Sequence, residues 1–211
     1  SNSSGETFNT GEGSTTDINV TGGSTVTDTT VNTGDNSETN INVEDSTIKD
    51  TTVNTGDNST TDIDITNSTV NNGDINTGNG SNTTIDISGS TVTDMDIAVG
   101  DDSHTVINIT DGTDFTGSIN KDDNDGEVEL NVSADSKITL TDDIHVDEFN
   151  NEDPTNSNID FNGHDIYVGD DTEGIHAREE REKREEAERQ AREEEEKRKQ
   201  EEEAKKKAEE E

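Results

Sequence analysis

Cysteine is absent, so the chain has neither a disulfide framework nor a thiolate zinc site to fold around. Proline occurs once, at Pro154. Aromatic residues make up 2% of the chain and apolar residues 21%, too few for an ordinary globular core. No apolar run is long enough to span a bilayer, and no secretory signal pattern opens the sequence; a secreted chain would be read here as already processed. Basic residues are almost missing from the first 174 positions. Lys49, Lys121 and Lys137 stand there against 37 acidic residues, and every arginine lies at 178 or beyond. Such a segment repels phosphate, which excludes nucleic acid as an expected partner. Cations, cationic surfaces and neutral cell-surface glycans fit it better.

What is present is acid, Asn, Ser, Thr and Gly. A net charge of -38 with so few apolar residues describes, on composition alone, a self-repelling disordered chain. The placement of the apolar residues argues against disorder. Ser24-Thr25-Val26 returns as Ser46-Thr47-Ile48, Ser68-Thr69-Val70 and Ser90-Thr91-Val92, a 22-residue repeat. Val26, Ile48, Val70 and Val92 form one column, and Val31, Val53, Ile75 and Ile97 a second. Ile41, Ile63, Ile85 and Ile107 form a third, and Val43, Ile65, Ile87 and Ile109 a fourth. A glycine column stands at Gly34, Gly56, Gly78 and Gly100. Residues 1–23 are an imperfect first copy, offset by 23.

Within each copy the alternation has period two, and the Gly-Asp-Asn-Ser clusters between are turns. A sustained repeat of this length means coils stacked on one another. The expected fold is an all-β parallel β-solenoid of 22-residue coils, each with two clear strands and a shorter third around the Val26 column. The core is expected to be thin, four aliphatics per coil with inward threonines at Thr39, Thr61, Thr83 and Thr105. The regular stretch is 1–111, and 112–172 is an irregular continuation, with 147–157 expected to bulge as a loop.

From 173 to 211 the composition changes to Glu, Lys, Arg, Gln and Ala. Glutamate precedes Lys or Arg by four residues ten times, as in Glu179–Lys183 and Glu193–Lys197. That orientation supports a helix by about 0.2–0.5 kcal/mol per pair. No heptad seam accompanies it. A long, charged, single α-helix of roughly 35 residues is expected, near 50 Å at about 1.5 Å per residue.

In the irregular part, Lys137-Ile138-Thr139-Leu140-Thr141-Asp142-Asp143-Ile144 is followed by Asn158-Ile159-Asp160-Phe161-Asn162-Gly163-His164-Asp165-Ile166-Tyr167-Val168. This resembles coils of right-handed parallel β-helices of the pectin-lyase-like superfamily, a kind of solenoid also found in bacterial and archaeal surface adhesins and phage tail fibres. The resemblance implies a fold, not an activity. Lyases of that superfamily commonly use an arginine base with calcium-binding acids, and the solenoid here contains no arginine. An enzyme is therefore not expected.

The most chemical feature is stacked carboxylate. Asp28, Asp50 and Asp94 fall in one column, and Asp35, Asp57 and Asp101 in another. Stacking puts like charges about 5 Å apart, which repulsion opposes unless a counterion intervenes. Calcium, which takes oxygen ligands, is the cofactor such columns would suit. The calcium-solenoid nonapeptide rich in Gly-Gly-x-Gly-x-Asp is missing, so a salt-screened acidic surface is the competing expectation. The function expected from these features is extracellular and structural or adhesive. It is that of a rigid solenoid subunit of a surface filament or fibre, assembling head-to-tail or as a bundle. A tail-fibre or adhesin module binding cations or glycans is the alternative, followed by an ice-binding or polysaccharide-active β-helix.

Overall fold

The computed structural model describes residues 1–210. They fall into two compact units, Ser1–Thr172 and the segment from Glu173 onward. The first is a parallel β-solenoid. Its longest ladder runs through eight strands, one per coil: Asn2–Ser4, Thr25–Thr27, Thr47–Asn54, Thr69–Asn76, Thr91–Ala98, Asp114–Ile119, Lys137–Leu140 and Ile159–Asp160. A second ladder of seven strands runs from Thr15–Val20 through Glu38–Glu44, Thr60–Thr66, Asn82–Ser88, His104–Thr110 and Glu127–Val132 to Glu148–Asn151. A third element, Thr7–Asn9 and Thr30–Asn32, merges into the long strands of the middle coils and separates again as Ile144–Val146 paired with Ile166–Val168.

Register follows the repeat. Ile63 pairs with Ile41 below and Ile85 above, and Ile85 with Ile107. Because side chains alternate across a strand, this register puts every aliphatic column on the inner face. Ile85, Ile87, Ile97, Ile107 and Ile109 are fully buried there, as are Phe115, Leu130 and Ile138 further along. Thr39, Thr61 and Thr105 are fully buried too, as the alternation predicts.

In the regular coils three corners close each turn of the stack, and each turns on a residue with positive φ. Asp28, Asn36 and Asp45 turn one coil; Asp50, Asn58 and Asn67 the next; Asn72, Gly80 and Gly89 the third; Asp94, Asp102 and Asp111 the fourth. Only Gly, Asn and Asp adopt this left-handed conformation routinely. The glycine column answers a different constraint. A Cβ on Gly56 would collide with the backbone of Gly34, and one on Gly78 with Gly56, so the coils meet there backbone to backbone.

Side chains lock the stack between coils. Asn76, Asn54 and Asn32 each donate Nδ2 to the Oδ1 of the asparagine one coil earlier, at 2.8–2.9 Å. Buried Ser68 and Ser90 accept the backbone N–H of Ser46 and Ser68 at 3.0–3.1 Å. Both serines pass their own proton to a carbonyl, Thr66 O and Ser88 O. The Ser-Thr-Val return is thus a corner serine bridging two coils, followed by the first inward aliphatic.

One feature differs from the expectations. The segment 147–157 is not wholly a bulge: Glu148–Asn151 is a strand of the second ladder, paired with Glu129–Val132. The loop is confined to the residues after it, because Phe149 continues the Leu130 column. The shift at 112 is a change of residue pattern inside one continuous stack. Ladder pairing crosses it from Thr91–Ala98 to Asp114–Ile119 without a break between units.

The second unit is an α-helix, Ile175–Glu209, 35 residues long. It buries no residue, and its N-cap, Gly174, provides no side-chain hydrogen bond. Glu173, just before the helix, accepts from the Arg181 guanidinium with both carboxylate oxygens at 3.0 Å. Glu195–Lys199 closes in the expected orientation at 3.3 Å, while Arg181–Glu185 and Arg189–Glu193 close in the reverse one. Glu211, included in the expected helix, lies outside the described residues.

Candidate functional site

The acidic columns are the chemical surface of the solenoid, and the backbone explains two of them. Asp28, Asp50 and Asp94 are left-handed corner residues, so this column is filled by residue types that tolerate positive φ. Asn72 stands between Asp50 and Asp94 in the stack and donates Nδ2 to Asp50 Oδ1 at 2.8 Å. In the second column, Asp35 Oδ1 accepts the N–H of Asp57 at 2.8 Å, and Asp57 Oδ1 that of Asn79 at 2.9 Å. Asn79 Oδ1 takes the N–H of Asp101, and Asp101 Oδ1 the N–H of Asp125. Asp and Asn are interchangeable here because one carbonyl-type oxygen capping an exposed amide is what the corner requires. Each named aspartate except Asp28 and Asp94 thus spends an oxygen on a bond between coils. Among the described residues, no three acidic or histidine side chains converge as a metal ligand set.

The stronger electrostatic features are two outward columns that lie outside the carboxylates expected to suit a cation. Asp64 and Asp86 pair on the second ladder, in strands whose Ile neighbours point inward. Partial burial pushes the Asp64 carboxyl above its ordinary range, and the charges of Asp86 and Asp62 push it further. Asn108 relieves Asp86 by donating Nδ2 to Oδ1 at 2.6 Å. On the long ladder, Asp74 pairs with Asp96. Burial raises the Asp74 carboxyl, as do Asp96 and Asp94, and Lys121 opposes them. Lys121 Nζ sits 3.2 Å from Asp96 Oδ2, while Ser118 donates to Asp96 Oδ1 at 2.7 Å. The turn after Asn120 thereby returns a cation onto the acidic column. Simple alternation around Ile63–Ile65 and Met95–Ile97 carried the signal for these columns: the acids are the outward partners of inward aliphatics.

A shallow polar concavity of about 310 Å³ lies on the second ladder, lined by Asp17, Asn19, Asn40, Asn42, Asp62 and Asp64 around the backbone of Ile41. The histidines are dispersed. His104 faces Glu127 at 3.4 Å, His164 faces Asp143 at 3.8 Å, and His145 stacks on Tyr167 while meeting Asn120 O at 3.0 Å. In the stretch carrying the β-helix resemblance, Asn162 and Gly163 both have positive φ, and His164 N–H closes the turn onto Phe161 O at 2.8 Å. That string makes a tight corner between two strands of the last coil.

Strands Asn2–Ser4, Thr7–Asn9 and Thr15–Val20 each pair on one side only. Phe8, on that coil, is 42% exposed and is the exposed large hydrophobic side chain among the described residues. No protein-family model, curated protein or solved structure matches this chain.

Proposed function

We propose that this chain is a structural protein of the cell or virion surface, a rigid rod that builds a filament or fibre. One observation carries the reading: two ladders run through seven and eight coils, crossing a register shift between Val92 and Met95 without ending, with side-chain ladders of Asn, Ser and Asp fastening coil to coil. Continuous ladders of this kind make a stiff object of about 38 Å, at about 4.8 Å per coil. In this reading subunits assemble head-to-tail or as a bundle, with the acidic sides left in solvent and the charged helix serving as spacer.

Electron microscopy and light scattering test it. Concentrated protein at high salt, where repulsion is screened, should form linear polymers. Monodisperse monomers under those conditions overturn the reading.

A second reading, a cation- or glycan-binding face, is favoured by the concavity between Asp17 and Asp64, which offers carboxylate and amide groups together. Asp62→Asn with Asp64→Asn would abolish such binding and leave polymerisation intact.

A further inference from the structure

Asparagine is followed directly by glycine at three places: Asn72-Gly73, Asn79-Gly80 and Asn162-Gly163. This pair is open to self-modification, because glycine has no Cβ to shield its amide nitrogen. The Gly nitrogen, having lost its proton to hydroxide, attacks the Asn Cγ. Nδ2 takes up a proton and leaves as ammonia, and a five-membered succinimide closes. Water then opens the ring at either carbonyl. The products are aspartate and isoaspartate, the latter with its main chain running through Cβ and Cγ. Nothing is oxidised or reduced, and water and hydroxide are the only reagents. The step needs an amide N–H that base can reach, so a paired amide is protected until the chain opens locally.

The three pairs differ in that respect. Gly73 is buried inside the strand Thr69–Asn76, paired with Thr51 on one side and Met95 on the other. Gly80 is exposed, but its N–H donates to Asp101 O at 2.9 Å. Gly163 is exposed, and its N–H makes no hydrogen bond among the described residues. Beyond its own chain neighbours, nothing lies within 4 Å of where its Cβ would stand. Asn162 is exposed as well, and its Nδ2 donates to Leu140 O at 3.1 Å, one coil earlier. That bond holds the corner between two short pairings of the last coil, Ile159–Asp160 on Ile138–Thr139 and Ile166–Val168 on Ile144–Val146.

We propose that Asn162 is a self-modification site, and that its conversion loosens the last coil. Either product loses the Nδ2 donor. Aspartate sets a carboxylate oxygen against Leu140 O, acceptor against acceptor. Isoaspartate adds a methylene to the main chain between the two pairings. The corner changes from a fastener into a point of repulsion or slack.

The full chain, aged in warm and mildly alkaline buffer, is mapped by trypsin and mass spectrometry. Cleavage after Lys49, Lys121, Lys137 and Arg178 puts Asn162 in one fragment and Asn72 with Asn79 in another. Asn162 should convert at least about tenfold faster than Asn72 or Asn79, whose glycine amides must first open. In urea, with all three pairs unfolded, the rates should converge. Equal rates in the folded chain, or faster conversion at Asn79, overturn the assignment. Amide exchange at Ile166–Val168 reads the consequence. It should speed up several-fold in the aged protein and in Asn162→Asp. Asn79→Asp, which keeps the oxygen that accepts the Asp101 N–H, should leave it unchanged. Unaltered exchange in fully converted protein overturns the loosening, whether or not Asn162→Asp folds.

Discussion

Every buried apolar side chain belongs to Ser1–Thr172, whereas the helix Ile175–Glu209 buries nothing. The solenoid's fastening bonds join residues 22 or 23 apart, as Ser46 to Ser68 and Asn32 to Asn9 do. The helix's side-chain bonds join residues three or four apart beyond the Glu173 clasp, as in Arg189 with Glu186 and Glu193. The same scarcity of apolar residues is therefore met by long-range stacking in one unit and by local ion pairing in the other. A change in the solenoid is felt by the coils on both sides, because stability there is a sum of neighbour interfaces. A change in the helix stays within a turn or two.

The largest expected effect exploits that difference. Gly56→Ala places a Cβ against the Gly34 backbone, where neither coil can yield without breaking the ladder. We expect a loss of about 3 kcal/mol or more, at or beyond the upper end of ordinary overpacking. Ala191→Gly in the helix should cost only about 1 kcal/mol. Denaturant unfolding followed by far-ultraviolet dichroism measures both; similar costs would mean that the coils are not tightly coupled. Next, Ile85→Ala removes a fully buried aliphatic and should cost about 2–5 kcal/mol. Ala187→Ser on the exposed helix should fall within about 0.5 kcal/mol.

A smaller change should run in the opposite direction. Thr61 is fully buried, and its hydroxyl has no hydrogen-bond partner. An unsatisfied buried hydroxyl is a liability, so Thr61→Val should stabilise the solenoid by about 1 kcal/mol. The chain already makes this exchange along the same column, where Val128 pairs with Thr105. Destabilisation of Thr61→Val would show that the hydroxyl is satisfied in solution.

Much of this fold was legible because a repeat states its register many times over. Ile41, Ile63, Ile85 and Ile107 announce one face, and a single coil would not have done so. The corners were legible only as turns. That Asp28, Asp50 and Asp94 share a column reads as charge chemistry in the sequence, and positive φ accounts for it in the structure. Gly56 and Gly89 look alike as letters, yet one answers a backbone collision and the other a left-handed turn. Asp74 and Asp96 were passed over because Lys121, which offsets them, comes from a turn outside the regular repeat.

Acid should move the two units in opposite directions. Asp64 and Asp74 have raised carboxyl pKa values, so the folded solenoid binds protons more readily than the unfolded chain. Their unfavourable charge is relieved as pH falls through the raised values, and the relief is complete below the ordinary 3.8. Glu173 and Glu186 have lowered values, set first by hydrogen bonds from Arg181 and Arg189. Their support is full above the ordinary 4.5 and is lost as pH falls through the lowered values. Asp153 opposes the solenoid trend, but its carboxyl is held down at about 2, so its contribution fades in stronger acid than that of Asp64. Mild acidification should therefore raise the melting temperature of the solenoid and lower helicity. Parallel loss in both units would remove Asp64 and Asp74 as strained positions.

Salt gives the smallest effect and bears on the cation question. Screening relieves the like-charge columns of the solenoid and weakens the opposite-charge pairs of the helix, so added sodium chloride should stabilise the first and loosen the second. Calcium at equal ionic strength should do the same and no more, because Asp35, Asp57 and Asp101 already give an oxygen to the next coil, and no three acidic or histidine side chains converge among the described residues. Thermal melts with each salt, and with magnesium and chelator as controls, measure the difference. A calcium-specific rise that vanishes in Asp50→Asn would place a cation on the corner column instead. It would mean that Asp50 gives its second oxygen to the ion while the first still holds Asn72.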